Sequence, residues 1–102
     1  QALYEGIRLA IASGEHDNHR FLLGLSCLPL LRSQEVENAF RERISFMEGK
    51  LREFSTHPAL VQPGFPPHVR AMFEYSSAII QTELDWSRQF LDQYLRGSKQ
   101  NG

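Results

Sequence analysis

The sequence predicts an all-α fold of four helices: two short N-terminal ones, then a long antiparallel helical hairpin that dimerises. Three observations predict it. After Pro66 and Pro67 no proline or glycine occurs until Gly97, so about thirty residues can run as a single helix roughly 45 Å long. Phe40, Ile44, Met47, Leu51 and Phe54 recur at steps of four, three, four and three, the seam of a coiled-coil helix. The apolar run from His19 to Leu28 contains no β-branched residue, which favours helix over the buried strand that its period alone would also allow.

At 102 residues the chain is one domain by size, with room for a single modest core. Eleven Lys and Arg against twelve Asp and Glu give a formal charge of −1, so the basic footprint of a domain that neutralises phosphates by itself is missing. The single cysteine, Cys27, has no partner for an internal disulfide, and a reducing, cytoplasmic setting is expected. The longest apolar run, Phe21 to Leu31, is broken by Gly24, Ser26 and Pro29 and is too short to span a bilayer. The first residue is Gln rather than Met, so sequence upstream of Gln1 is expected.

The first helix, about residues 2–13, places Leu3, Ile7, Ala10 and Ile11 on one face and ends at Gly14. Glu15, His16, Asp17 and Asn18 make a polar corner in which Asp17 or Asn18 can cap the next helix. Together with His19 this corner is the one cluster of metal-ligand residue types. A structural metal site needs four well-placed ligands, so no metal is expected. The second helix, 18–28, is apolar nearly all round, which means burial on more than one side, and Pro29 ends it by disfavouring helical geometry at Leu28.

Ser33 is the expected N-cap of the third helix, 34–55, with Glu35 in its first turn. A full capping box is lacking, because Val36 stands where Glu or Gln would reach back. Pairs Glu37–Arg41 and Glu48–Arg52 are expected on its wet side, and Gly49 costs about 1 kcal/mol relative to Ala. Ser55 to Phe65, with two prolines and a glycine, reads as a connection only, flanked by His57 and His68 in capping or solvent-facing roles. The fourth helix, 66–96, is capped by Gly97 and followed by a polar tail, 97–102.

On that last helix Arg70, Glu74, Gln81, Asp85, Arg88 and Asp92 collect on one side, while the apolar residues spread over an arc of roughly 200°. One neighbour needs about half that width, so the helix is expected to meet both its own chain and a second copy. A hairpin register pairing Phe54 with Val69, Leu51 with Met72 and Phe73, Ile44 with Ile79 and Ile80, and Phe40 with Glu83 follows. It assigns Val69 to Ile80 to the intrachain core. It leaves Trp86, Phe90, Leu91 and Tyr94, together with Phe21, Leu22 and Leu25 of the second helix, as the dimer interface.

Glu83 falls inside the apolar arc, and a buried carboxylate must be paired or hydrogen-bonded. Arg43 is its nearest basic neighbour in the register, so Arg43 and Glu83 are expected to form a buried polar pair that fixes alignment. No phosphate loop, nucleophile triad or interleaved basic and aromatic stripe is present. No catalytic residue and no cofactor are therefore expected.

Three stretches, in this order, carry a family resemblance: HRFLLGLSCLPLL, EVENAFRERISFMEGKLREF and FEYSSAIIQTELDWSRQFLDQYL. Together they resemble the C-terminal half of PadR-like transcriptional regulators over about Arg20 to Leu95, and the third, with its Glu-Leu-x-Trp centre, is the most specific. The resemblance implies a homodimer served by Trp86, Phe90 and their neighbours. DNA would be read by a winged helix-turn-helix outside this chain, and a small-molecule effector is in keeping with such regulators. Two-fold operators call for a two-fold protein. Ser76, Ser77 and Ser87 depart from the pattern, standing where Ala or Leu is more usual. A free-standing helical adaptor that receives a partner's helix is the competing reading.

Overall fold

The computed structural model describes residues 2–12 and 18–101, and all of the secondary structure among them is helical. The order is α1 (Ala2–Ala12), α2 (Asn18–Ser26), a 3₁₀ turn (Leu28–Leu30), α3 (Ser33–Ser55), α4 (Pro58–Val61) and α5 (Pro67–Asn101). The all-α class stands, with five helices and a 3₁₀ turn in place of four helices. Glu15, His16 and Asp17 of the predicted polar corner lie outside the described residues, as does the helix stop expected at Gly14. With 35 residues, α5 is about 52 Å long and by itself accounts for the long dimension of a molecule measuring 55 × 29 × 16 Å.

The additional pieces have local causes. Pro29 keeps α2 from reaching Leu28; it is instead accommodated at the start of the 3₁₀ turn, where a missing N–H is no loss. In the expected loop, Pro58 likewise opens α4. His57 caps that helix, its Nδ1 accepting the Ala59 N–H at 3.1 Å, and Ala59 is buried. Gly64 then takes φ 101°, a left-handed geometry that costs other residues about 1–2 kcal/mol. Gly97 does not end α5, which continues to Asn101. A glycine permits a helix stop without forcing one, and no proline follows it.

The cap of α3 sits one residue earlier than expected, at Arg32. Glu35 is thereby placed three residues on, and its Oε1 accepts the Arg32 backbone N–H at 2.9 Å. The reciprocal half of a capping box cannot form, because a guanidinium has no acceptor. Along the helices the expected Glu37–Arg41 pair forms at 2.7 Å, as do Arg70–Glu74 at 2.9 Å and Arg96–Asp92 at 3.0 Å. Glu48 does not turn to Arg52; it meets Arg88 across the helix pair at 2.5 Å.

Phe54 touches Phe73, Arg43 touches Ser87 and Phe40 touches Phe90, so α3 and α5 run in opposite directions. The register differs from the expected one. Phe54 meets Phe73 rather than Val69, and Phe40 meets Phe90 rather than Glu83, a shift of one to two turns along α5. The cause is α4, which packs against α5 and brings His57 onto Phe73, ring on ring at 3.8 Å. A folded connection has its own thickness, and α5 is displaced by it.

Two apolar cores follow. One gathers Ile7 and Ile11 of α1, Leu31, then Val36, Ala39 and Phe40 of α3, with Leu91 of α5. The other holds Met47 with Ile80 and Leu84. Since α1 packs on α2 and α3, and Arg8 ties it to Glu42 at 3.2 Å, only the first core is covered by a further layer. The predicted division of α5 is therefore partly inverted. Leu91 is 6% exposed within its own chain, and Phe90 and Tyr94 pack on the same core. Met72 and Tyr75, in the stretch assigned to intrachain packing, lie open, Tyr75 at 70% exposure.

Two outcomes are expected. A Cβ at Gly49 would meet only the far end of the Arg52 side chain, at 4.0 Å, so Gly49→Ala should raise stability by about 1 kcal/mol in urea denaturation, since it removes a mid-helix glycine without a clash. Hydrogen bonds from the Arg32 backbone and side chain hold the Glu35 carboxyl below its ordinary range, and the Arg8 hydrogen bond and charge do the same for Glu5. Their contributions are present above the ordinary carboxylate range and are lost as pH falls through the lowered values. Urea midpoints should therefore drop on acidification, and Glu35→Gln should flatten that drop.

Candidate functional site

Between the two cores lies a polar layer. Arg43 stands one turn from Phe40 and one turn from Met47, and Ser87 stands midway between Leu84 and Leu91. Arg43 is 2% exposed, Ser87 is fully buried, and the Arg43 Nε donates to the Ser87 Oγ at 3.1 Å. The guanidinium carbon lies 3.7 Å from the centre of the Phe21 ring, a cation held over an aromatic face. Burial pushes the Arg43 pKa below its ordinary value, and the negative charge of Glu83 pulls it back up. Arginine stays protonated through this, so the layer is permanently charged.

Above it, α2 and α5 frame an apolar groove of about 420 Å³ lined by Phe21, Leu22, Leu25, Arg43, Thr82, Glu83 and Trp86. Each wall follows from a helix period. On α2, Phe21 and Leu25 are one turn apart and half-buried, with Leu22 beside them at 61% exposure. On α5, Glu83 and Ser87 are also one turn apart, so both can turn toward Arg43 while Trp86 stands at the rim, 42% exposed. Phe21 joins the walls, meeting Trp86 edge to face at 5.9 Å and Phe40 at 6.2 Å.

The structure thus brings together most of the residues singled out in the sequence. Phe21, Leu22, Leu25 and Trp86 share the groove with Arg43 and Glu83. Phe90 and Tyr94 continue a ladder of stacked rings from Trp86, at 5.3 and 5.9 Å, but Phe90 rests on Phe40 at 4.8 Å and serves the chain's own core. Leu91 faces that core and leaves the accessible set. Ser87 is the residue that the sequence reading missed, taken there as an irregularity. It lies four residues after Glu83, on the same face, where its Oγ accepts from the buried cation, and no local signal marks it until that cation is known to lie opposite.

Chemically the groove can hold an apolar or aromatic surface against Trp86 and the leucines, with charge confined to its floor. Among the described residues no group of three or more His, Cys, Asp or Glu is placed to hold a metal ion, and no helix is long and apolar enough to cross a membrane. Searches against protein families, curated proteins and solved structures return no match to this chain.

Removing one partner of a buried charge pair is costly, because the other is left uncompensated, whereas replacing both partners by apolar residues of similar volume is often neutral. Arg43→Met, which leaves Glu83 behind, is expected to lose about 3 kcal/mol of stability, and Arg43→Met combined with Glu83→Leu much less. Urea unfolding of the two variants side by side checks this; a single variant that loses no more than the double would show that Glu83 does not depend on Arg43.

Proposed function

We propose that this chain is the dimerisation and effector-sensing half of a cytoplasmic, PadR-like DNA-binding regulator. Under this reading the chain catalyses nothing and needs no cofactor. It sets the spacing and tilt of two DNA-reading heads, each a winged helix-turn-helix outside these 102 residues, on a two-fold operator. Paired across the dimer, α3 and α5 would act as the rigid hairpin that holds those heads apart.

The observation that carries the reading is the groove. Leu22, Leu25 and Trp86, about sixty positions apart in sequence, converge on one open apolar surface, and the family pattern assigns Trp86 to the contact between copies. Exposed aromatic and leucine side chains grouped around a pocket are the anchors that interfaces use. A second copy laid across this surface would cover Trp86. An apolar effector lodged in the groove would sit at the contact between copies, so it would favour one arrangement of the heads over another.

Leu22 is the residue to test, since its exposure means that replacing it barely touches the chain's own core. In sedimentation the wild-type chain should behave as a dimer. Leu22→Asp should be a monomer at the same concentration, with unchanged helical content. Because each substitution occurs twice in a two-fold contact, a cost of about 1.4 kcal/mol per copy weakens association about a hundredfold. A wild-type chain that is monomeric at all concentrations would overturn the proposal in favour of a helical adaptor.

A further inference from the structure

At the far end of the molecule from the groove, α3, α4 and α5 meet on a histidine. The His57 ring stacks on Phe73 of α5 at 3.8 Å, with 15° between planes, and meets Phe65 of the connection edge-on at 6.4 Å. Phe54 of α3 completes the cluster, 5.9 Å from Phe73. At the same time His57 Nδ1 accepts the Ala59 N–H. That bond requires an unprotonated Nδ1, hence a neutral ring with its proton on Nε2.

We infer that His57 is a proton-operated latch: neutral, it caps α4 and holds it on α5; protonated, it releases α4. With a proton on Nδ1, two donors face one another at 3.1 Å and no bond is left between them. The ring itself has reason to stay, because a cation over the Phe73 face is attracted to it. The part that yields is α4, a helix of four residues whose other backbone bonds are few, among them Leu60 N–H to His57 O at 2.9 Å and Gln62 N–H to Pro58 O at 2.8 Å. A single turn has no cooperative reserve when its cap is lost.

The groups facing His57 are aromatic: Phe54 from α3, Phe65 from the connection and Phe73 from α5. On α3, Lys50 places its Nζ 5.9 Å from the Phe54 ring and 3.9 Å from Glu53. Lys50 is a like charge to an imidazolium. Releasing α4 uncovers Ala59 and loosens the end of the helix pair against which α4 packs. The inference stands independently of the regulator reading, since it concerns the opposite end of α3 and α5.

The test is a titration of the full chain from pH 8 to pH 5 by amide-resolved NMR, across the interval in which an imidazole changes charge. The Ala59 amide proton should move upfield along a sigmoid that tracks the His57 ring, and the Leu60 and Gln62 amides should lose protection at the acid end. In His57→Asn, which keeps a capping acceptor that does not titrate, all three amides should hold their positions. An Ala59 amide that stays put in the wild type while the His57 ring titrates would overturn the inference, as would an equal shift in His57→Asn.

Discussion

The structure depends on one buried cation. Arg43 lies in a layer between two apolar cores, where Ser87 accepts its Nε–H, Glu83 supplies opposite charge and Phe21 covers its face. Two apolar seams can slide past each other by a turn at modest cost, but a buried guanidinium cannot follow them, because a slip would set it against Leu84 or Leu91 instead of Ser87. The layer therefore selects one alignment of α3 on α5. Buried polar groups often contribute little net stability, and their better-attested use is to specify register. Here the same group also recruits α2, since the ring over Arg43 is the one that touches Trp86.

The rest of the architecture can be read outward from that layer. On one side α1 and α2 close over the core of Ile11, Val36, Phe40 and Leu91. On the other, α4 wedges against Phe73, and Met72 and Tyr75 are left uncovered. The molecule is thus well packed at one end and thinly packed at the other. Residues at the thin end open at lower free-energy cost than those at the packed end. The groove stands at the boundary between the two, next to the charged layer, so a molecule bound there could bias how the halves are held.

Much of this is legible in the sequence. The seam from Phe40 to Phe54, the wet face from Arg70 to Asp92 and the stacked series Trp86, Phe90 and Tyr94 all follow from helical period, which is a local property of the chain. Arg43 and Glu83 could be brought together because both are charges on otherwise apolar faces. What was not legible depended on distance. The thickness of the connection is decided by α4 packing, so the register came out one to two turns away from the expected one. The gathering of Ile11 and Leu91 into one core joins residues about eighty apart in sequence, which no local pattern encodes. Ser87 was hidden for a simpler reason: a serine in an apolar stripe has meaning only once its cation is known to lie opposite.

The central claim is that the surface around Trp86, next to the arginine layer, is where a second copy of the chain packs. Trp86 is the chain's one tryptophan, so its fluorescence reports on that surface without any label. Emission should be measured over a dilution series while sedimentation follows the association state. The account predicts a shift to longer wavelength on dilution, as the exposed side of Trp86 loses its partner and meets water, at the concentration where the dimer dissociates. Dissociation with an unchanged Trp86 spectrum would place the contact elsewhere and contradict it.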